Sequence, residues 1–297
     1  MTVRVGYLGP GGTFTEEAMH VYTAGREIYT KVEFSSIPEM IYAIGTKIDE
    51  AVVPFENSIE GSVNVTLDLL IHESRAMIKR ELVLPVNQNL FVRKLYSLDE
   101  IEVVYSHPQA LYQCRKFLHE RMPKALWIET ASTAEAAQIV AGCEKPWAAI
   151  GHSRLGELYG LLLIAENIQD YKNNVTRFII LSMEDCAPTG FDRTSVVFAT
   201  ENKPGSLYKV LGFFARENLN LTKIESRPSR KALGEYVFLL EVEGHRQDEV
   251  LKKVLAEVEK NTTYFKILGS YPRWQEGYPP LRGDSCKAMK ERLRISN

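Results

Sequence analysis

Four segments of this 297-residue chain set a polar residue between an apolar run and the start of a helical pattern. Gly9-Pro10-Gly11-Gly12-Thr13 precedes a helix, with Thr13 and Glu16 at capping-box spacing. Ser106-His107-Pro108-Gln109 offers Ser106 as N-cap, with Pro108 in the first turn. Ser132-Thr133-Ala134-Glu135 repeats the pattern, and Glu56-Asn57-Ser58-Ile59-Glu60-Gly61 links a short apolar run to another helical stretch. Helix N-termini present free N–H groups and partial positive charge. Several converging on one cleft would hold an anion with few Lys or Arg. Each taken singly is a stability device, since Ser and Thr cap helices and Gly serves turns.

Other chemistries fit less well. The glycine loop lacks the Gly-Lys-Ser/Thr ending of a phosphate-binding loop, and its Gly spacing matches a dinucleotide fingerprint poorly. The six histidines show no H-E-x-x-H or similar ligand spacing, so neither a metal nor a cofactor is expected. Cys114 lies seven residues after His107 on one helical face, either as an activated nucleophile or as a core residue. The four cysteines are far apart with no C-x-x-C pair, which argues against a disulfide framework or structural zinc and fits a reducing cytosol. Thirty-six Lys+Arg against 38 Asp+Glu leave a formal charge of −2, which argues against a general nucleic-acid binder. The best apolar stretch, Leu158–Ala165, is strand length, and the N-terminus reaches its Gly-rich turn too soon for a signal peptide. A cytoplasmic protein acting on something small, away from membranes, is the expectation.

The elements that must position these residues fall into two rhythms. Strand-like Val3–Leu8, Val32–Ser35 and Ala51–Phe55 alternate with helix-like Thr13–Tyr22, Glu39–Ile44 and Val63–Ile71, the pattern of a parallel α/β sheet. A long extended segment, Met77–Val92, leads to a second series: Ile101–Tyr105, helix Pro108–Arg121, Leu126–Glu129, helix Ala134–Ala141 and Trp147–Ile150. Leu161–Ala165 and Thr176–Met183 close it, which predicts two lobes joined by crossing strands around a cleft. After a linker near Glu184–Thr189 come strand Ser195–Ala199, helix Leu207–Glu217, strands Leu221–Ser226 and Tyr236–Val242, helix Asp248–Lys260 and strand Tyr264–Ser270. That is a ferredoxin-like β-α-β-β-α-β unit. The expected domains are thus 1–187 and 192–274, with a polar tail at 275–297 whose Arg282-Gly283-Asp284 carries no weight.

Taken in order, the motifs resemble the prephenate dehydratase family. They are Gly9–Phe14, Val53–Gly61, Ser106–Leu111 with Gln113-Cys114, Ser132–Ala137, and Asn174-Val175-Thr176-Arg177-Phe178. The second unit resembles an ACT regulatory domain, with Gly205-Ser206-Leu207 at a helix start and Glu225-Ser226-Arg227-Pro228 on the second strand. The resemblance runs from Val5 to about Trp274, without the chorismate mutase module fused in some relatives. It implies two lobes of the periplasmic-binding-protein kind and conversion of prephenate to phenylpyruvate with loss of CO2 and water.

It further implies that Thr176 hydrogen-bonds the departing hydroxide, with Asn57, Ser106 and Gln113 as polar neighbours. Thr13, Ser132 and Thr133 are candidates for carboxylate binding. Arg177 either pairs with a carboxylate or is structural, because strand alternation turns it away from Thr176. Phe178 packs either the substrate ring or the core. Feedback by L-phenylalanine would act at the Gly205–Leu207 and Glu225–Pro228 motifs in a homodimer or tetramer joined through ACT domains. Two positions depart from the usual family pattern. Phe55 stands where many relatives have Ile, and Ser206 replaces the usual Ala, which leaves the strength and sign of feedback open. An arogenate dehydratase and a non-catalytic amino-acid sensor are the alternatives.

Overall fold

The computed structural model describes residues 2–275 except 27, 231 and 233. The chain opens with β1 (Val3–Leu8), α1 (Phe14–Thr23), β2 (Tyr29–Phe34), α2 (Ile37–Tyr42), β3 (Glu50–Asn57), β4 (Gly61–Ser62), α3 (Asn64–His72) and β5 (Met77–Pro85). A second stretch runs β6 (Asn89–Val92), β7 (Val103–Ser106), α4 (Pro108–Gln113), α5 (Arg115–Arg121), β8 (Leu126–Glu129), α6 (Thr133–Ala141), β9 (Trp147–Gly151), α7 (Arg154–Tyr159) and β10 (Leu162–Ala165). The chain then returns through β11 (Val175–Ser182). The remainder is β12 (Asp192–Ala199), α8 (Ser206–Arg216), β13 (Leu221–Pro228), β14 (Tyr236–Glu243), α9 (Glu249–Lys260) and β15 (Tyr264–Pro272).

The strands form three sheets, ordered β2-β1-β3-β11-β5 with β4 on β3, β10-β6-β9-β7-β8, and β13-β14-β12-β15. The first two are the lobes, and segments 86–88 and 166–174 cross between them. The third is fully antiparallel and ferredoxin-like, with α8 and α9 on one face burying Val210, Phe213, Phe214, Leu251 and Val254. Its other face lies directly on the first lobe, where Val197, Leu239 and Tyr271 join Val53, Phe55 and Ile179 in one core. Period-two alternation sets this up. Even-numbered Val52, Phe178 and Ile180 go under α1, and odd-numbered Val53, Ile179 and Leu181 face the third sheet.

Several expectations are corrected. Neither lobe is purely parallel: β11 runs antiparallel between β3 and β5, and β6 antiparallel between β9 and β10. The single helix expected over Pro108–Arg121 breaks at Cys114. There the Gln113 carbonyl accepts a 2.7 Å bond from Asp170 N–H and Asp170 Oδ1 accepts from Lys116 N–H at 3.1 Å, so the crossing segment takes over the helix ladder. The N-cap of α4 is His107 and not Ser106, its ring accepting from Gln109 N–H. Cys114 is fully buried, and burial with Asp170 nearby pushes its thiol pKa up, so the nucleophile alternative falls and the core reading stands. Against the expectation of no disulfide, Cys186 is disulfide-bonded, whereas Cys114 and Cys143 are free. No helix among the described residues is long and apolar enough to cross a membrane. Apart from Gln275, the tail expected at 275–297 lies outside the described residues.

Candidate active site

The carboxyl ends of β1 and β3 meet lobe two, which is where open α/β sheets bind ligands. Gly12, at φ +90, brings its backbone against Leu155 and Leu158 of lobe two, where a Cβ would crowd both side chains. Its carbonyl accepts from His152 Nε2 at 2.6 Å, and the Gly11 carbonyl accepts from Tyr159 Oη at 3.1 Å. This bond makes Nε2 the protonated nitrogen, while Nδ1 accepts from Arg154 N–H at 3.3 Å. Burial holds the His152 pKa below its usual range, against the Gly12 hydrogen bond that raises it. A second bridge crosses from Gln113 Nε2 to Glu60 Oε1 at 3.0 Å.

Beside this bridge, Asn57 and Thr176 are direct cross-strand partners on β3 and β11. Asn57 Oδ1 accepts from the backbone N–H groups of Ile59 and Glu60 at 3.0 and 3.2 Å, which fixes the orientation of its amide. The amide must then donate on its other side, to Asn174 Oδ1 at 2.9 Å and Thr176 Oγ1 at 3.0 Å. Thr176 is therefore an acceptor from Asn57, and its own O–H finds no acceptor among the described residues. A half-buried hydroxyl with its lone pair engaged and its proton available can donate to a developing oxyanion. Asn174 stabilises the arrangement from behind, accepting also from Ser58 Oγ at 3.3 Å, and its buried Nδ2 has no partner.

The other expected residues divide. Gln113 joins the cluster, and its Oε1 accepts from Gln88 in the crossing segment at 3.4 Å. Ser106 is fully buried and donates to the Ile150 carbonyl at 2.7 Å, tying β7 toward β9 with no contact to Asn57 or Thr176. Thr13 and Ser132 cap α1 and α6 by accepting from Glu16 and Glu135 N–H, and Thr133 is buried in the first turn of α6 beside Gly151. Phe178 lies in the core with Tyr7, Met19 and Leu82, one step below Thr176, which decides its alternatives for packing. Arg177 turns the other way, as alternation requires. Its guanidinium meets Glu56, Glu81 and Glu241, so it is structural and not a carboxylate ligand. Sequence reasoning assigned no role to Asn174, Glu60 or His152. Asn174 lies two residues before Thr176 on the same strand side, which was the available signal.

In the third unit, Gly205, Ser206 and Leu207 line a cavity of about 840 Å³ with Tyr236, Phe238 and, from α3, His72. Gly205 adopts φ +80 as the N-cap of α8, a conformation suited to glycine. Glu225, Arg227 and their neighbours Ser226 and Pro228 are not part of that cavity. Glu225 accepts from Ser62 Oγ, and Arg227 donates to Asn64 and Asp68, so this motif docks the unit onto lobe one. No cluster of potential metal ligands occurs among the described residues.

Comparison with known proteins gives two family matches: residues 5–186 match the model "Prephenate dehydratase" and 194–260 the model "ACT domain". The bifunctional chorismate mutase/prephenate dehydratase of Aquifex aeolicus is 41% identical over 91% of this chain and 74% of its own. The prephenate dehydratase of Methanocaldococcus jannaschii is 39% identical over 92% of this chain and 99% of its own. Among solved structures, a prephenate dehydratase from Arthrobacter aurescens in complex with L-Phe superposes with TM-score 0.83 at 33% identity, covering 99% of both chains.

Proposed function

The chain belongs to the prephenate dehydratase family, lyases that convert prephenate to phenylpyruvate, CO2 and water, and we propose that Asn57 and Thr176 form its leaving-group centre. The ring carboxylate departs as CO2, and its bonding electrons enter the ring. The ring C–O bond breaks, hydroxide leaves, and a proton from solvent completes water. No electron acceptor or strong base is needed, because aromatisation drives the step. A threonine hydroxyl is too weak an acid to transfer its proton outright near neutral pH. Thr176 instead donates a hydrogen bond to the oxygen as charge builds, and Asn57 holds the proton on that side. The fixed donor direction Asn57→Thr176 is the observation that carries this reading. Gln113 places substrate across the lobes, and the capped starts of α1 and α6 supply positive potential for its carboxylates.

Incubating purified protein with prephenate at neutral pH and assaying phenylpyruvate tests the reaction; binding without product would favour a sensor. A parallel assay with arogenate decides the substrate, and a large arogenate preference would contradict the choice of prephenate.

Feedback by L-phenylalanine belongs to the same proposal. The 840 Å³ cavity has an apolar aromatic wall and ends at the N-terminal turn of the 11-residue helix α8, which suits an aromatic amino acid. Exposed Tyr208, Ile224 and Val250 on this unit support assembly through ACT domains as a dimer or tetramer. Light scattering on wild type and Tyr208→Glu tests it. Unchanged mass in the variant would remove that face from the interface.

A further inference from the structure

Both members of the candidate pair have an immediate chain neighbour gripped by the ACT domain. Arg177, next to Thr176, donates to Glu241 of β14 through both Nη atoms, at 2.9 and 3.0 Å. It also donates to Glu81 at 3.1 Å and Glu56 at 2.7 Å, with its ring-stacked face over Phe55. Glu56, next to Asn57, is held by Lys223 of β13 at 2.5 Å. Arg193 of β12 completes the set, donating to Glu81 at 2.8 Å. Three cations thus meet three carboxylates between the two sheets, with Tyr271 buried behind them. Removing one partner leaves a desolvated charge, so these groups must move together.

β14 is the physical link to the effector cavity. Its first residues, Tyr236, Val237 and Phe238, line that cavity. Glu241 follows three residues on, about 10 Å along the strand. The β3–β11 pairing shifts register between Arg177 and Phe178, where β3 carries the extra residue, Phe55, beneath the Arg177 guanidinium, a local irregularity beside the network. A separate cavity of about 450 Å³ borders Arg177, Arg193 and Glu241 and gives the network room for a second arrangement.

We propose that the Arg177–Glu241 and Glu56–Lys223 pairs carry the occupancy of the ACT cavity to Thr176 and Asn57, which makes Arg177 and Glu56 positioning residues. This rests on the phenylalanine reading above. Displacing β14 pulls Arg177 and turns the peptide that presents Thr176, while displacing β13 acts on Asn57 through Glu56. The effector changes turnover only by favouring one arrangement of this network over the other.

The test compares full-length wild type, Glu241→Gln and Lys223→Met. Glu241→Gln removes one charge from the centre of the network, and Lys223→Met removes the more peripheral cation should the first variant fold poorly. Phenylalanine binding is measured by calorimetry without substrate, and kcat and KM for prephenate with and without saturating phenylalanine. The expected result is phenylalanine affinity within about threefold of wild type, while the phenylalanine-induced change in kcat falls to less than about twofold. A wild-type-sized response in both variants overturns the proposal. So does loss of phenylalanine binding by more than about tenfold in both, which would mean that these residues only hold the cavity. A wild type that turns over prephenate and binds phenylalanine without responding overturns it at its premise, and leaves the dehydratase reading standing.

Discussion

At the residue scale the central feature is the direction of one hydrogen bond. Asn57 accepts two backbone N–H bonds on its Oδ1 and so must donate to Thr176. Asn57→Asp separates these roles, keeping the acceptors and losing the donor. The variant is expected to fold with a near-native circular dichroism spectrum while kcat falls about 10²-fold or more, the range for removing a preorganised group. Wild-type turnover in Asn57→Asp would show that donation to Thr176 is dispensable. Both residues were readable from their motifs, and so was the outward turn of Arg177, because strand period two forbids neighbours from sharing a face. The partners of Arg177 were not readable. Glu81 and Glu241 lie 96 and 64 residues away, and no local pattern joins them. Ser106 shows the opposite failure: a polar residue at a strand end serves equally as a ligand or as the tie to Ile150 that it makes.

At the scale of elements, most helices and strands followed from periodicity and caps, since each buries a face that the sequence marks with apolar residues. The departures are tertiary. α4 and α5 separate because Asp170 intrudes, and α7 carries Tyr159 and Leu155 to the Gly12 loop within a stretch whose apolar tail read as a strand. The contact between α7's flank and α1's loop predicts a pH dependence. Burial lowers the His152 pKa, with Arg154 adding to it and Glu16 and the Gly12 carbonyl opposing. The unfolded chain therefore binds the proton more readily than the folded one. The stabilisation is full above the ordinary histidine pKa of about 6.5 and is lost as pH falls from there toward the folded value. His152→Gln keeps a neutral donor and removes titration at that site. Wild type is expected to lose more melting temperature than this variant between about pH 7.5 and 5.5. Equal losses would mean that His152 does not report the lobe contact.

At the scale of the molecule, the proposed reading lets a near-neutral chain hold a dianion, with backbone N–H groups and hydroxyls in place of bulk positive charge. The two-lobed and ferredoxin-like units were legible from their contrasting rhythms, whereas their docking was not. One face of the third sheet is apolar and charged toward lobe one, and only the folded register reveals that Val197, Leu239 and Glu241 share it with Tyr271. That docking puts the ACT-domain sheet in contact with the chain neighbours of both members of the candidate pair. The most direct test of the pair itself is steady-state conversion of prephenate to phenylpyruvate by wild type, Thr176→Val and Thr176→Ser. With the hydroxyl as sole difference in shape-matched valine, kcat should fall about 10²- to 10³-fold with KM little changed, and serine should restore most of it. Valine turnover within a few-fold of wild type would contradict the assignment of Thr176 as the donor to the departing hydroxide.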